Sequence, residues 1–394
     1  MSIKSLPDYP LLKKLAEALW RNETSYQGAA IMVGSGFSRS AASSGDINSK
    51  LPLWNDLLKV LSKDLESDPW GDPLRISEEY SSYFGKQALK DVIEQTVNDP
   101  AWIPGDLYGS LLKLPWTEVL TTNWDTLLER AASDIYKPIY SIVNKPEDLS
   151  SSRSPRIVKL HGTVQISHNL IFTQEDYRQY PKTHAAFVNL ARQVFIENEF
   201  CLLGFSGDDP NFLQWVGWVR DHLASHARRI YLVGALDLSP AKRKYLESIN
   251  VAPIDLSTLV RHLDNHDEKH REATKMFLDT LQILNPKDSW DWRPTSITRK
   301  TIPENEISRV HKDHSYAATL LENQLDQLIK NRESYPEWLV CPSNVRWSLQ
   351  NQITDPFPSS KNLAEMKPDL RSKLLYEIVW RNTITFSVNT IHLA

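Results

Sequence analysis

The sequence predicts an α/β fold: a Rossmann-like, doubly wound parallel sheet with a helical insertion, followed by a mainly helical C-terminal region. Two observations carry the sheet. Apolar runs at residues 29–33, 116–121, 156–160, 200–203 and 229–234 end in glycine or small polar residues, and helix-compatible stretches separate them. Strands buried on both faces of a parallel sheet read as such apolar runs, and crossover helices must join them. The third observation is a change of composition after Asn285-Pro286, where a polar, proline-interrupted stretch at 287–304 leads into strongly helix-forming sequence at 315–330. The expected domains are therefore 1–285, with a helical insertion at about 66–109, and 286–394.

Taken in order, residues 11–20 have the spacing of an amphipathic helix. The run at 29–33 reaches Gly34-Ser35-Gly36 and a helix-compatible stretch, the order of a dinucleotide-binding unit. Without a Cβ, Gly34 and Gly36 let the backbone turn sharply and approach a pyrophosphate. Its charge would then sit on the free N–H groups of the next helix, an end that carries roughly half a positive elementary charge. No glycine follows three residues after this G-x-G and no Gly-Lys-Ser/Thr is present, so neither a dehydrogenase fingerprint nor a P-loop is complete. By itself the turn reads equally well as a tight turn without a ligand.

Residues 53–65 form a second expected helix, with Leu57, Leu58, Val60 and Leu61 as its apolar residues. The insertion carries Trp70, Tyr80, Tyr83, Phe84, Trp102 and Tyr108, expected to be mostly core with one or two covering a pocket. The run 116–121 enters Thr122-Asn123-Trp124-Asp125 and another helix from Thr126. Asn123 and Asp125 serve equally as helix caps or as ligand contacts at the carboxyl edge of the sheet. After the strand at 156–160 comes His161-Gly162, and the glycine is expected to leave the imidazole open to a ligand. With an unperturbed pKa near ~6.5, that ring can take up a proton at cellular pH. Thr173 is a candidate cap with Asp176 at the third helical position. The last two strands end at Gly204-Phe205-Ser206 and at Gly234, the latter placed to close over an adenosine. Beyond 286, residues 342–361 read as irregular and 370–382 as helical.

Together these segments resemble the sirtuin superfamily, and within it the divergent zinc-less NAD hydrolases of bacterial antiphage defence, over about residues 28–256. The sirtuin pattern GAGxS is matched by Gly34-Ser35-Gly36-Phe37-Ser38, TQNxD by Thr121-Thr122-Asn123-Trp124-Asp125, the histidine-glycine by His161-Gly162, and the glycine-serine turn by Gly204-Phe205-Ser206. The resemblance implies NAD as substrate, contacted by Gly34, Ser35, Gly36, Phe37, Thr122, Gly204, Ser206 and Gly234. It implies Asn123, His161 and Asp125 as the catalytic residues: Asn123 for a water or ribose hydroxyl, Asp125 for the carboxamide, His161 as general base. Water would capture the ribosyl cation, giving nicotinamide and ADP-ribose or a cyclised form of it.

The departures from the deacylase pattern indicate the branch. Cys201 and Cys341 are the two cysteines of the chain, whereas a closed structural zinc site of the deacylase kind takes four thiolates. No zinc is expected, nor any other metal. The glycine turn continues into Ala41-Ala42-Ser43-Ser44-Gly45-Asp46 instead of Pro-Asp-Phe-Arg, and Thr122 replaces a glutamine. Acyl-lysine recognition is therefore disfavoured. An NAD-dependent deacylase and a non-catalytic NAD or ADP-ribose sensor remain the alternatives.

Composition bounds the partners. A formal charge of −4, a pI near 6.3 and no Lys/Arg-rich run argue against direct nucleic-acid binding. No apolar stretch reaches the ~20 residues of a bilayer span, and the N-terminus lacks a signal-peptide core. With two cysteines, cytoplasm is the expected setting. The resemblance further implies a toxic effector that depletes NAD in abortive infection, held in a homo-oligomer and released by a phage-derived activator or a C-terminal sensor region. The chain ends at Ile391-His392-Leu393-Ala394 within an apolar-polar alternation, which reads as the front part of a longer polypeptide.

Overall fold

The computed structural model describes residues 2–21, 28–45, 50–68, 71–167, 169–205, 209–285, 292–295, 304–336, 340–353 and 357–388. The chain divides into two compact units, Met1–Asn285 and Pro286–Ala394.

The first unit is built on a seven-stranded sheet in which every pairing is parallel. In chain order, α1 (Tyr9–Leu19) precedes β1 (Ala29–Val33), α2 (Ser35–Ser38) and the short β2 (Ala42–Ser43). Then come α3 (Trp54–Asp64), α4 (Pro73–Phe84), α5 (Lys86–Val97), β3 (Trp102–Ile103) and α6 (Asp106–Leu112). The sheet resumes with β4 (Glu118–Thr121), α7 (Leu127–Ser133), β5 (Ser141–Val143) and β6 (Arg156–Lys159). After α8 (Gln174–Thr183) and α9 (Ala185–Glu197) follow β7 (Glu199–Leu203), α10 (Pro210–Leu223), β8 (Ile230–Gly234), α11 (Pro240–Ser248), β9 (Val251–Asp255) and α12 (His266–Ile283). The strand order is β5-β6-β4-β1-β7-β8-β9, with β2 and β3 forming a separate antiparallel ribbon.

All five residues of β1 are fully buried, as a central parallel strand covered on both faces requires. Its two-residue period divides it between the layers. Ala29, Ile31 and Val33 pack with Leu12 and Leu15 of α1, Leu111 of α6, Leu128 of α7 and Phe277 of α12. Ala30 and Met32 face Tyr180, Phe187, Phe212 and Trp215 on α8 to α10. Each buried Val, Leu, Ile, Met or Phe side chain among these contributes about 1.5–3 kcal/mol. Long-range polar ties close the unit: Trp20 Nε1 donates to the Leu281 carbonyl at 2.7 Å, and Arg39 forks onto Asp267 at 2.9 and 2.6 Å.

The insertion has a core of its own. Leu57 and Leu61 of α3, Ile76 of α4 and Ile93 of α5 pack with Val164, Leu170 and Phe172 from the segment after β6. This packing seats the insertion beside the strand end that carries His161.

Several sequence expectations are corrected. The main sheet gains β5 and β9, two strands not anticipated. The stretch after Gly34 is a single helical turn, α2. Within the insertion Tyr80, Trp102 and Tyr108 are buried, but Tyr83 and Phe84 are 78% and 43% exposed, and none of these lines the cavity described below. Trp70, Asp46, Ser206 and residues 391–394 lie outside the described residues.

In the second unit, α13 (Glu304–Lys312) and α14 (His314–Glu333) precede α15 (Ser343–Gln350), α16 (Ser360–Glu365) and α17 (Pro368–Thr385). The stretch 342–361, expected to be irregular, thus holds one helix and opens another. Leu321, Leu325, Leu363, Leu374 and Ile378 form this unit's main core. Beside it the buried Arg381 donates to Glu377 Oε2 at 2.8 Å, to Gln352 Oε1 at 2.9 and 2.7 Å and to the Leu328 carbonyl at 3.1 Å. A buried cation is tolerable only with such full pairing. Among the described residues, no helix is long and apolar enough to cross a membrane.

Candidate active site

The winding of the sheet fixes where a ligand can bind. From β1 the chain builds β4, β5 and β6 on one side, then returns to place β7 on the other. Ligands of open α/β sheets occupy the crevice outside the strands' carboxyl ends at such a reversal. Here the turns after β1 and β7 interlock. Gly34 N–H donates to the Leu203 carbonyl at 3.0 Å and Gly36 N–H to the Gly204 carbonyl at 2.9 Å. Gly204 has φ +62°, and a Cβ on it would stand 2.2 Å from Phe37 N. A Cβ on Gly34 would stand 2.4 Å from the Gly204 oxygen. The close approach these glycines permit is therefore to one another's backbone, and of the helix-start N–H groups expected to face a pyrophosphate, that of Gly36 is already donated. Helix charge sums over aligned peptides, so the one-turn α2 offers an anion less than a full helix would. Phe37 is buried edge-on against Tyr108 at 4.7 Å.

Beside this junction lies a buried polar relay. Asn123 Nδ2 donates to Ser38 Oγ at 2.9 Å, and Ser38 Oγ donates to Asp125 Oδ2 at 2.8 Å. Asp125 Oδ1 also accepts from Leu127 N–H at 3.2 Å, so the capping and ligand readings of Asp125 meet in one side chain. Asn123 is held from below as well: its N–H donates to Thr121 Oγ1 at 3.0 Å, and that hydroxyl donates to the Val33 carbonyl at 2.8 Å. Asn123 Oδ1 has no hydrogen-bond partner among the described residues, which leaves an acceptor for a water or hydroxyl. Tyr108, fully enclosed near Ser38 and Asp125, has its phenol pushed well above the ordinary value, mainly by burial and then by the Asp125 charge.

β6 runs next to β4, with Thr121 level with Lys159 and Leu160 N–H bonded to the Thr121 carbonyl at 2.9 Å. Lys159 is fully buried; its ammonium contacts the Asp125 carbonyl and stands 3.2 Å from Glu129 Oε1. Burial pushes the Glu129 carboxyl up, and the Lys159 charge opposes that shift. His161 is buried: α8 and α10 close over the ring that the following glycine was expected to leave open to a ligand. Tyr177 and Tyr180 present ring edges at 5.2 and 5.8 Å, and Asn211 Nδ2 lies 3.2 Å from His161 Nε2. Burial lowers the His161 pKa; Asp209 opposes this, His184 adds to it and Asp176 opposes it. The ring is thus held neutral near pH 7, the form a general base needs.

A cavity with about 60 Å³ of solvent-accessible space brings together Ser35, Thr122, Asn123 and Asp125, with Trp54 and Trp124 as an aromatic wall. These two rings meet edge-on at 5.0 Å. Trp124 Nε1 is buried without a hydrogen-bond partner among the described residues. His161 lies at the neighbouring strand end and does not line this cavity; Gly34, Gly36, Phe37 and Gly204 form the junction beside it. Gly234 ends β8, one strand beyond β7, its carbonyl accepting from Leu256 at 2.9 Å. Sequence reasoning gave no role to Ser38, Lys159 or Asn211. A charged residue inside an apolar strand was the sequence signal for Lys159, and an amide directly after an Asp-Pro helix start that for Asn211. The cysteines Cys201 and Cys341 are both buried, in different units, and no group of three His, Cys, Asp or Glu able to hold a metal occurs among the described residues.

Residues 117–254 match the SIR2-like domain family. The chain is 29% identical over 209 residues to the NAD(+) hydrolase ThsA of Acinetobacter baumannii, covering 52% of this chain and 42% of that protein. It is 25% identical over 227 residues to the NAD(+) hydrolase ThsA of Cytobacillus dafuensis, covering 56% and 43%, and 22% identical over 248 residues to defense-associated sirtuin 2 of Bacillus subtilis, covering 59% and 24%. The chain thus matches about two-fifths of the length of the two hydrolases and a quarter of that of the sirtuin. With a parallel sheet of this winding, the glycine junction at its reversal and Asn123 and His161 at adjacent strand ends, the chain is similar to the SIR2-like domain family over residues 117–254 and to NAD(+) hydrolases and a defense-associated sirtuin over about half its length.

Proposed function

We propose that this protein cleaves the nicotinamide–ribose bond of NAD, releasing nicotinamide and ADP-ribose. The observation that carries the reading is the Asn123-Ser38-Asp125 relay, which fixes Asn123 at the reversal of the sheet with its carbonyl oxygen unpaired among the described residues. In the proposed reaction the C1′–N bond breaks and its electron pair leaves with neutral nicotinamide. The oxygen of a water held by Asn123 then bonds to C1′, and the surplus proton passes to His161 or to solvent. Asp125 contacts the carboxamide through lone pairs not used by Ser38 and Leu127. Such orientation supplies several kcal/mol of the barrier reduction, and a general base typically contributes about a hundredfold to ten-thousandfold. Small-molecule pockets commonly enclose ~300–1,000 Å³, so the reading requires this cavity to widen as NAD enters.

The similarity to proteins named NAD(+) hydrolase and defense-associated sirtuin supports a wider reading as an effector that depletes NAD in defence; that it does so against phage, in the cytoplasm and as a homo-oligomer is part of the same proposal. In that reading residues 286–394 belong to the part that senses an activator. The test is product analysis: purified protein at several concentrations is incubated with NAD, with and without an acetyl-lysine peptide, and products are identified by mass. Nicotinamide and ADP-ribose in equal amounts, unaffected by the peptide, support hydrolysis. Acetyl-ADP-ribose would make the protein a deacylase.

A further inference from the structure

We propose that Asn211 is the positioning residue that selects the tautomer of His161, by presenting one or the other end of its amide to Nε2. The inference rests on the reading of His161 as general base. Both residues are 2% exposed, and the 3.2 Å contact is the hydrogen bond each side chain makes with the other. His161 Nδ1 has no hydrogen-bond partner among the described residues. The two ring nitrogens therefore have separate duties: one is held by protein, the other is left for the reaction.

An NH2 group only donates. With Nδ2 facing it, Nε2 accepts and the ring proton sits on Nδ1, which can then donate but cannot take a proton. Turning the amide by half a revolution puts Oδ1 against Nε2, moves the ring proton there, and leaves Nδ1 bare to accept the proton of a ribose hydroxyl or water. The first arrangement is the resting form and the second the competent one. A base oriented by a third group is the general logic of activated catalytic pairs.

The surroundings hold Asn211 in place for this task. It is the second residue of α10, after Pro210, and Asp209 caps that helix by accepting from Phe212 N–H at 3.0 Å. Tyr177 donates its hydroxyl to the other Asp209 oxygen at 2.9 Å, and Tyr180 donates to the Leu160 carbonyl at 2.8 Å. The start of α10 is thereby tied to α8 and to the end of β6. Among the described residues, the charged or titratable groups near the ring are Asp209, Asp176, His184, Tyr177 and Tyr180.

The test uses histidine-labelled full-length chain and long-range nitrogen–proton NMR, with His161 assigned through His161→Gln, on wild type, Asn211→Leu and Asn211→Asp. Wild type is expected to show one tautomer. Asn211→Leu is expected to show a mixture. Asn211→Asp, whose carboxylate only accepts, is expected to fix the proton on Nε2 and to raise the pKa of the ring. In NAD cleavage, Asn211→Leu is expected to lose roughly tenfold to a hundredfold in kcat with little change in KM, as a misoriented group does, and Asn211→Asp to move the acid limb of the pH profile upward. Unchanged His161 spectra in folded variants would overturn the proposal. A wild type that does not cleave NAD would sink the hydrolase reading, while the spectra would still decide the role of Asn211.

Discussion

Ser38 and Asp125, 87 residues apart in sequence, share a buried hydrogen bond of 2.8 Å, and the same hydroxyl accepts from Asn123. Ser38→Ala removes a donor to a buried carboxylate and the acceptor of a buried amide at once. Leaving a buried polar group unsatisfied costs about 1–3 kcal/mol. The variant is expected to lose stability of that order in urea denaturation and to lose kcat for NAD cleavage, because Asn123 is no longer fixed.

The glycine junction makes a comparative prediction. Gly204→Ala and Gly34→Ala place a Cβ 2.2 and 2.4 Å from backbone atoms, whereas a Cβ on Gly234 meets its nearest neighbour, a leucine methyl, at 3.4 Å. The first two are expected to destabilise the protein by more than ~2 kcal/mol through these backbone clashes, and at Gly204, whose φ is +62°, αL strain of ~1–2 kcal/mol adds to the clash. Gly234→Ala is expected to stay within about 0.5 kcal/mol of wild type, as substitutions without strain or clash do. Thermal unfolding of the three variants side by side checks the contrast.

Lys159 and Glu129 form a buried ion pair. Lys159→Met alone strands the carboxylate and is expected to cost about 3–5 kcal/mol, whereas Lys159→Met with Glu129→Leu is expected to recover most of that loss. Activity should not recover with stability in the double variant, because the contact from the Lys159 ammonium to the Asp125 carbonyl is still missing. Denaturation and NAD cleavage measured on the same samples separate the two effects.

The lowered pKa of His161, caused first by burial, sets a pH dependence. His184 and His270 are shifted the same way, also mainly by burial. Between the depressed folded values and the unfolded value near ~6.5, the unfolded chain binds more protons, so stability rises with pH. The stabilisation is complete above about 6.5 and is lost as pH falls below it. Urea midpoints at a series of pH values should decline on the acid side of that point. The acid limb of kcat/KM should lie below it.

Much of this could be read from the residues and some could not. β1, β4, β6, β7 and β8 were legible because each holds an apolar run that leads into glycine or polar residues. β5 has three residues, and β9 carries Pro253, a residue that argues against a strand except at an edge, which is where β9 lies. Asn123, Asp125 and His161 were legible as polar residues ending apolar strands. Their surroundings were not: Ser38 reaches Asp125 across 87 residues and Asn211 reaches His161 across 50, and no local pattern encodes such a meeting. The glycine after His161 suggested an open ring, but the helices that bury it start 12 or more residues later.

The most direct measurement is nicotinamide release from NAD by wild type, Asn123→Ala and His161→Ala, each shown to be folded, over a range of protein concentrations. The account predicts release by wild type and a loss of at least about a hundredfold in each variant, the lower end of what a catalytic acid or base provides. Variants that release nicotinamide at the wild-type rate, or a wild type that binds NAD in calorimetry yet releases none at any concentration, would contradict it.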